Sequence, residues 1–117
     1  MSSRYPHLPP LHALLVFEAA AYHESFAKAA EELCLTASAV AHQVKKLEAS
    51  LGVTLFIRHS RGVSLSPHSR SFFHKVQQSL QDLHQHTEQV KDFSTQAIRV
   101  STQHAIAQLW LQPRLGE

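Results

Sequence analysis

Between Ser25 and Gly52 the sequence carries two helical apolar patterns parted only by Cys34 and Leu35. Phe26, Ala29, Ala30 and Leu33 fall at i, i+3, i+4 and i+7, one narrow face of a helix over 26–33. Ser25 stands where its hydroxyl can accept a bond from a free N–H of the first turn, an N-cap worth ~1 kcal/mol. Ala29 and Ala30 are small enough to let a second helix approach closely. After the break, Thr36 is the next N-cap candidate, and Val40, Val44, Leu47 and Leu51 form the inner stripe of a helix over 37–51. Gly52 stands where a helix often ends in a left-handed turn. Ser38, His42, Gln43, Lys45 and Lys46 lie between the stripe positions, so the outer face is polar and basic. Two short helices, a tight break and a basic outer face on the second are the ingredients of a helix-turn-helix, spanning roughly 25–51 with its motif about 25–45. A plain two-helix hairpin gives a similar periodicity.

The flanks extend the pattern. Pro9 and Pro10 precede Leu11, and Leu11, Leu14, Phe17 and Ala21 recur at helical spacing, predicting a first helix over about 10–22. Leu55-Phe56-Ile57 and Val63-Ser64-Leu65 read as paired strands around a polar turn from Arg58 to Gly62. Ser66, as N-cap, and Pro67, at the first position, predict a long helix over about 67–92 free of internal glycine and proline. Phe73, Val76, Leu80, Leu83, Thr87 and Val90 alternate along it in steps of three and four. That is an a/d seam, which calls for a partner helix. The expected fold is mainly α: a winged helix-turn-helix of three helices and a two-stranded wing, followed by a long dimerisation linker helix. The domains expected are 8–66 (DNA binding), 67–93 (linker) and 94–117. In the last, Ile98 to Ser101 alternates like a strand and 105–111 could begin another helix.

Composition limits the function classes. Hydrophobic residues are 44% and charged residues 17% of the 117-residue chain, as in a soluble globular domain. No apolar run approaches the ~18 residues of a membrane span. The opening MSSRYPHLPP lacks a signal-peptide core, and the lone cysteine, Cys34, cannot form an intrachain disulfide. A cytoplasmic location fits both. The net charge of +2 is small but unevenly placed: Lys45, Lys46, Arg58, Arg61, Arg70 and Lys75 face only Glu48 within 36–75, whereas acids outnumber bases on either side. A basic middle third is either an electrostatic footprint for phosphate or a solvated basic surface.

The wording of the sequence goes further. Ser25-Phe26-Ala27-Lys28-Ala29-Ala30-Glu31-Glu32-Leu33, then Thr36-Ala37-Ser38-Ala39-Val40, then His42-Gln43-Val44-Lys45-Lys46-Leu47-Glu48, Leu51-Gly52-Val53 and Leu55-Phe56-Ile57-Arg58 resemble, in that order, the LysR-type transcriptional regulators. The resemblance covers about residues 8–93. The opening Leu8-Pro9-Pro10-Leu11 with Phe17-Glu18-Ala19-Ala20-Ala21 is similar to the subgroup of that family holding the glycine-cleavage activator and the β-lactamase regulators. The resemblance implies a dimer on an interrupted inverted repeat of double-stranded DNA, with a linker helix pairing two protomers and a C-terminal effector domain. Residues 98–115 look like the start of that domain, cut off. The small-molecule effector site is then absent from this chain, and a tetramer would need the full effector domain.

The expected DNA-binding set is Ser25, Thr36, Ala37, Ser38, His42, Gln43, Lys45, Lys46, Arg58 and Arg61. Helix N-termini favour phosphate, a helix fits the major groove, and arginines on a hairpin can reach phosphates or a narrow minor groove. Two positions depart from the family's habit. Where it often has Gln and Ser, this chain has Ala37 and Ala41, whose methyls can touch a thymine methyl but make no hydrogen bond. Base reading then shifts to Ser38, His42 and Gln43, with Gln43 able to pair in bidentate fashion with adenine. The expected dimerisation set is Phe73, Val76, Leu80, Leu83, Thr87 and Val90. Phe72 and Phe73 read as dimer or domain packing, and Cys34 reads as a small buried hydrophobe. The ten histidines are scattered and lack ligand spacing, so no metal site, no cofactor and no enzymatic centre is expected. A second reading stays open beside the DNA-binding regulator: an interaction protein that pairs with full-length regulators through 67–92 and has little DNA affinity of its own.

Overall fold

The computed structural model describes residues 4–102, with side chains as far as Ser94. Helix α1, Leu11–His23, starts after the extended Pro10 and ends on Glu24, whose φ of 53° is left-handed. It is buried over much of its girth, at Ala13, Val16, Phe17, Ala19, Ala20 and Ala21, because the two following helices and the wing pack around it. Of the expected apolar face, Phe17 and Ala21 are buried and Leu14 packs against the core, while Leu11 is exposed. Helix α2, Phe26–Leu33, and helix α3, Ala37–Leu51, carry the caps the sequence promised. Ser25 Oγ accepts from Lys28 N at 3.1 Å and Thr36 Oγ1 from Ala39 N at 3.0 Å. Gly52 closes α3 in a left-handed turn at φ 75°.

Strands β1, Phe56–His59, and β2, Gly62–Leu65, pair antiparallel with Phe56 opposite Leu65 and His59 opposite Gly62. The connection is thus only Ser60 and Arg61, shorter than the five-residue turn expected from sequence. Leu55, expected in the strand, precedes it: its N–H goes to Glu48 and its C=O to Ser66 and Ser69. A single 3-10 turn, Pro67–Ser69, leads into α4, Arg70–Thr102. Ser66 stands at the N-cap of that turn with Pro67 at its first position, as expected, but its side chain makes no cap bond: the hydroxyl is buried and donates to Thr54 O at 2.9 Å. The strand expected over 98–101 is instead part of α4. Four alternating residues are a weak signal, and extending a formed helix adds a hydrogen bond for each residue fixed. The helix expected at 105–111 lies outside the described residues. Among the described residues no helix is long and apolar enough to cross a membrane.

The chain divides into two compact units, meeting in sequence between Leu80 and Gln81. The core of the first is centred on Phe17, which is fully buried. Its ring lies 5.6 Å from that of Phe56, 5.3 Å from Phe72 and 6.3 Å from Phe73, and Phe56 meets Phe26 edge-on at 5.6 Å. Such pairs add about 0.5–1.5 kcal/mol each beyond the area they bury. Val76 belongs to the same core, with Phe72, Phe73 and Leu80 packed against it. Gln77 Nε2 donates to Glu18 Oε2 at 3.2 Å, tying the start of α4 to α1. The expected dimer seam therefore divides: Phe73, Val76 and Leu80 are spent on the chain's own core, while Leu83 and Val90 are exposed.

Candidate nucleic-acid interface

The site is built on α3 and the wing. Val40, Val44 and Leu47 are buried on one side of α3, which fixes the rotation of the helix about its axis. At 100° per residue, Ser38, His42 and Lys45 then fall opposite that stripe, and all are exposed. Lys46 is exposed beside them, and Thr36 and Ala37 are exposed at the N-terminal end. Gln43 differs: it lies on the flank next to the buried stripe and is half-buried. Ala41 is half-buried on the opposite flank. The two N-terminal turns of α3 thus present a hydroxyl and an imidazole, with two ammonium groups a turn further on.

Helix α2 packs against α3. Its C-terminus is stopped by Cys34 at φ 58°, with its N–H directed to Ala30 O and Glu31 O, and Leu35 N donates to Ala30 O at 2.9 Å. Cys34 is exposed in this left-handed cap, contrary to the buried hydrophobe expected, because the tight reversal puts its side chain outside the alanine-lined helix contact. His23 Nε2 and Glu32 Oε1, 2.7 Å apart, tie the end of α1 to α2. Ser25, in the expected DNA-binding set, is half-buried and already engaged as the α2 cap.

The wing carries the remaining cations. Arg61 is exposed on the two-residue turn. Arg58 is exposed too, but its guanidinium carbon lies 5.0 Å over the Phe26 ring, a cation–π contact that limits where the head can go. Both strands are tied to the helices: Val63 N donates to Glu24 O at 3.2 Å, and Glu48 Oε2 accepts from Leu55 N at 2.8 Å and Phe56 N at 3.3 Å. Neither Glu24 nor Glu48 belongs to the site residues expected from the sequence. A lone acid inside a basic segment was the available signal for Glu48. Nothing in the sequence marks Glu24 as left-handed, since that conformation ordinarily favours glycine.

A helix pair with a polar, basic outer face on its second member, braced by a two-stranded hairpin, defines a winged helix-turn-helix protein. The family model described as "Bacterial regulatory helix-turn-helix protein, lysR family" matches residues 11–70, and the chain belongs to that family. It is similar to the glycine cleavage system transcriptional activator of Escherichia coli K12, 44% identical over 110 residues, covering 93% of this chain and 36% of that protein. It is also similar to the transcriptional activator AmpR of Pseudomonas aeruginosa, 58% identical over 66 residues, 56% of this chain and 22% of that protein. The chain spans little more than a third of the length of the glycine cleavage activators it matches. Among solved structures it is similar to the DNA-binding domain of BenM in complex with benA site 1 DNA, with a TM-score of 0.67 and 30% identity over 74% of this chain and 97% of that one.

Proposed function

We propose that this chain binds double-stranded DNA as the reading head of a LysR-type transcriptional regulator, acting as a homodimer on an interrupted inverted repeat. The observation that carries the reading is the exposed outer face of α3, with Ser38, His42, Lys45 and Lys46 all exposed, together with the exposed Arg61 of the wing. In this reading the N-terminal half of α3 enters the major groove. Ser38 and His42 face base edges, the half-buried Gln43 reaches them only from the flank of α3, and Ala37 contributes a methyl contact. Lys45, Lys46, Arg58 and Arg61 meet phosphates, while Ser25 and Thr36 present the N-termini of α2 and α3 to the backbone. Residues 8–66 bind DNA, 67–93 join two protomers, and 94–117 lead toward an effector domain. The exposed Leu83, Val90 and Phe93 support the pairing through α4. No chemistry is catalysed.

Salt dependence tests it. The observed affinity for a mixed-sequence duplex should fall linearly with salt on logarithmic axes, with a slope of roughly −0.9 for each phosphate engaged. Lys45→Ala and Arg61→Ala should each lower that slope by about one ion's share on every sequence tested. Absence of binding at low salt would favour the second reading, a partner of full-length regulators with little DNA affinity of its own. Two observations support that alternative: the bare methyl of Ala37 at the head of α3, and the exposed apolar residues of α4.

A further inference from the structure

Residues 54–56, where α3 hands over to the wing, are held from two sides. On one side the Glu48 carboxylate takes the N–H groups of Leu55 and Phe56, at 2.8 and 3.3 Å through the same oxygen. On the other, Thr54 O accepts from Ser66 Oγ at 2.9 Å, and Leu55 O accepts from Ser66 N and Ser69 Oγ, each at 2.9 Å. A hairpin of two four-residue strands has little stability of its own, so its direction relative to α3 is set by such ties. Glu48 is also the one acid in a segment with six lysines and arginines, 36–75. Turned toward a phosphate backbone it would weaken binding. It is instead half-buried, with its charge directed at two amide dipoles that favour it.

We propose that Glu48 is a positioning residue for DNA recognition: its carboxylate fixes the wing against the recognition helix, so that Arg61 reaches a phosphate only while the base of β1 is held. This rests on the DNA-binding reading above. It makes a prediction whose sign is opposite to simple electrostatics. Neutralising an acid in a basic surface ordinarily tightens binding to DNA, whereas here it loosens the wing and weakens binding.

The test uses the full chain and a short mixed-sequence duplex, comparing wild type, Glu48→Gln, Arg61→Ala and the double variant over a salt series. Glu48→Gln keeps the size of the side chain but offers only a neutral amide oxygen. Glu48→Ala, which removes both bonds, is the stronger form of the same experiment, and the Gln variant stands in if it fails to fold. Glu48→Gln is expected to weaken binding several-fold, and Arg61→Ala to lower the salt slope in wild type by about one ion's share but to change little in the Glu48→Gln background. Amide exchange without DNA should accelerate at Leu55 and Phe56 and stay unchanged in the α1 core. Equal or tighter binding by Glu48→Gln, a full Arg61 effect in the double variant, or unaltered exchange at Leu55 and Phe56 overturns the assignment. Wild type that binds no duplex at low salt overturns the DNA reading and this role together. Wild type that binds, with Arg61 uncoupled from Glu48, overturns the role alone.

Discussion

The start of α4 and its stretch from Gln81 to Ser94 share one apolar rhythm and meet opposite fates. In the first, the rings of Phe72 and Phe73 meet that of Phe17, tilted and edge-on respectively, and Val76 is 8% exposed within the core. In the second every described side chain is exposed, including Leu83 at 56%, Val90 at 67% and Phe93 at 66%. A heptad pattern states that a stripe wants cover; it does not state what supplies it. Here the first part of the stripe is covered by the winged helix-turn-helix itself, and the second is left for whatever α4 meets.

Substitutions on the two sides of Leu80 should separate accordingly. Val76→Asp places an unpaired charge in the core and should cost about 3–5 kcal/mol of stability, leaving the chain largely unfolded. Urea unfolding followed by far-UV circular dichroism measures this, and a stable, folded Val76→Asp would mean that the start of α4 contributes little to the core. Gly62→Ala comes next. Its Cβ would lie 2.5 Å from Glu24 O at a φ of 146°, so either the wing or the left-handed corner after α1 must shift. The expected loss is roughly 1–3 kcal/mol by the same unfolding assay. Thr36→Ala removes the α3 cap bond and should cost about 1 kcal/mol. A loss near zero would mean that the N-terminus of α3 is held by packing alone.

The smallest effect on the fold should come from Leu83→Asp combined with Val90→Asp. Both sites are exposed, so the unfolding free energy should stay within about 0.5 kcal/mol of wild type when measured on the monomer. Sedimentation should instead show a dimer of wild type converted to a monomer. Wild type that is monomeric at high concentration would contradict the pairing through α4.

The bounds of α2 and α3 were legible because the caps are local chemistry: Ser25, Thr36 and Gly52 act on backbone groups within four residues of themselves. The outer face of α3 was legible for the same reason, since the Val40, Val44 and Leu47 stripe fixes which side is free. What stayed hidden depends on distant parts of the chain. Packing from several sides buries α1 beyond its one expected face, at Ala13, Val16, Ala19 and Ala20, Gln43 is half-buried on a flank, and the seam divides where the domain's own core ends. The wing's ties run from Glu24 and Glu48, residues whose types give no hint of left-handed backbone or of a carboxylate spent on amides.

In the proposed reading the exposed face of α3 and the wing meet DNA, while α4 beyond Leu80 does not. Titrating the isotopically labelled chain with a mixed-sequence duplex and following its amide resonances tests this directly. Shifts should be concentrated at 36–46 and 58–62, with 81–94 unmoved. Shifts confined to 81–94, or none at low salt, would contradict it.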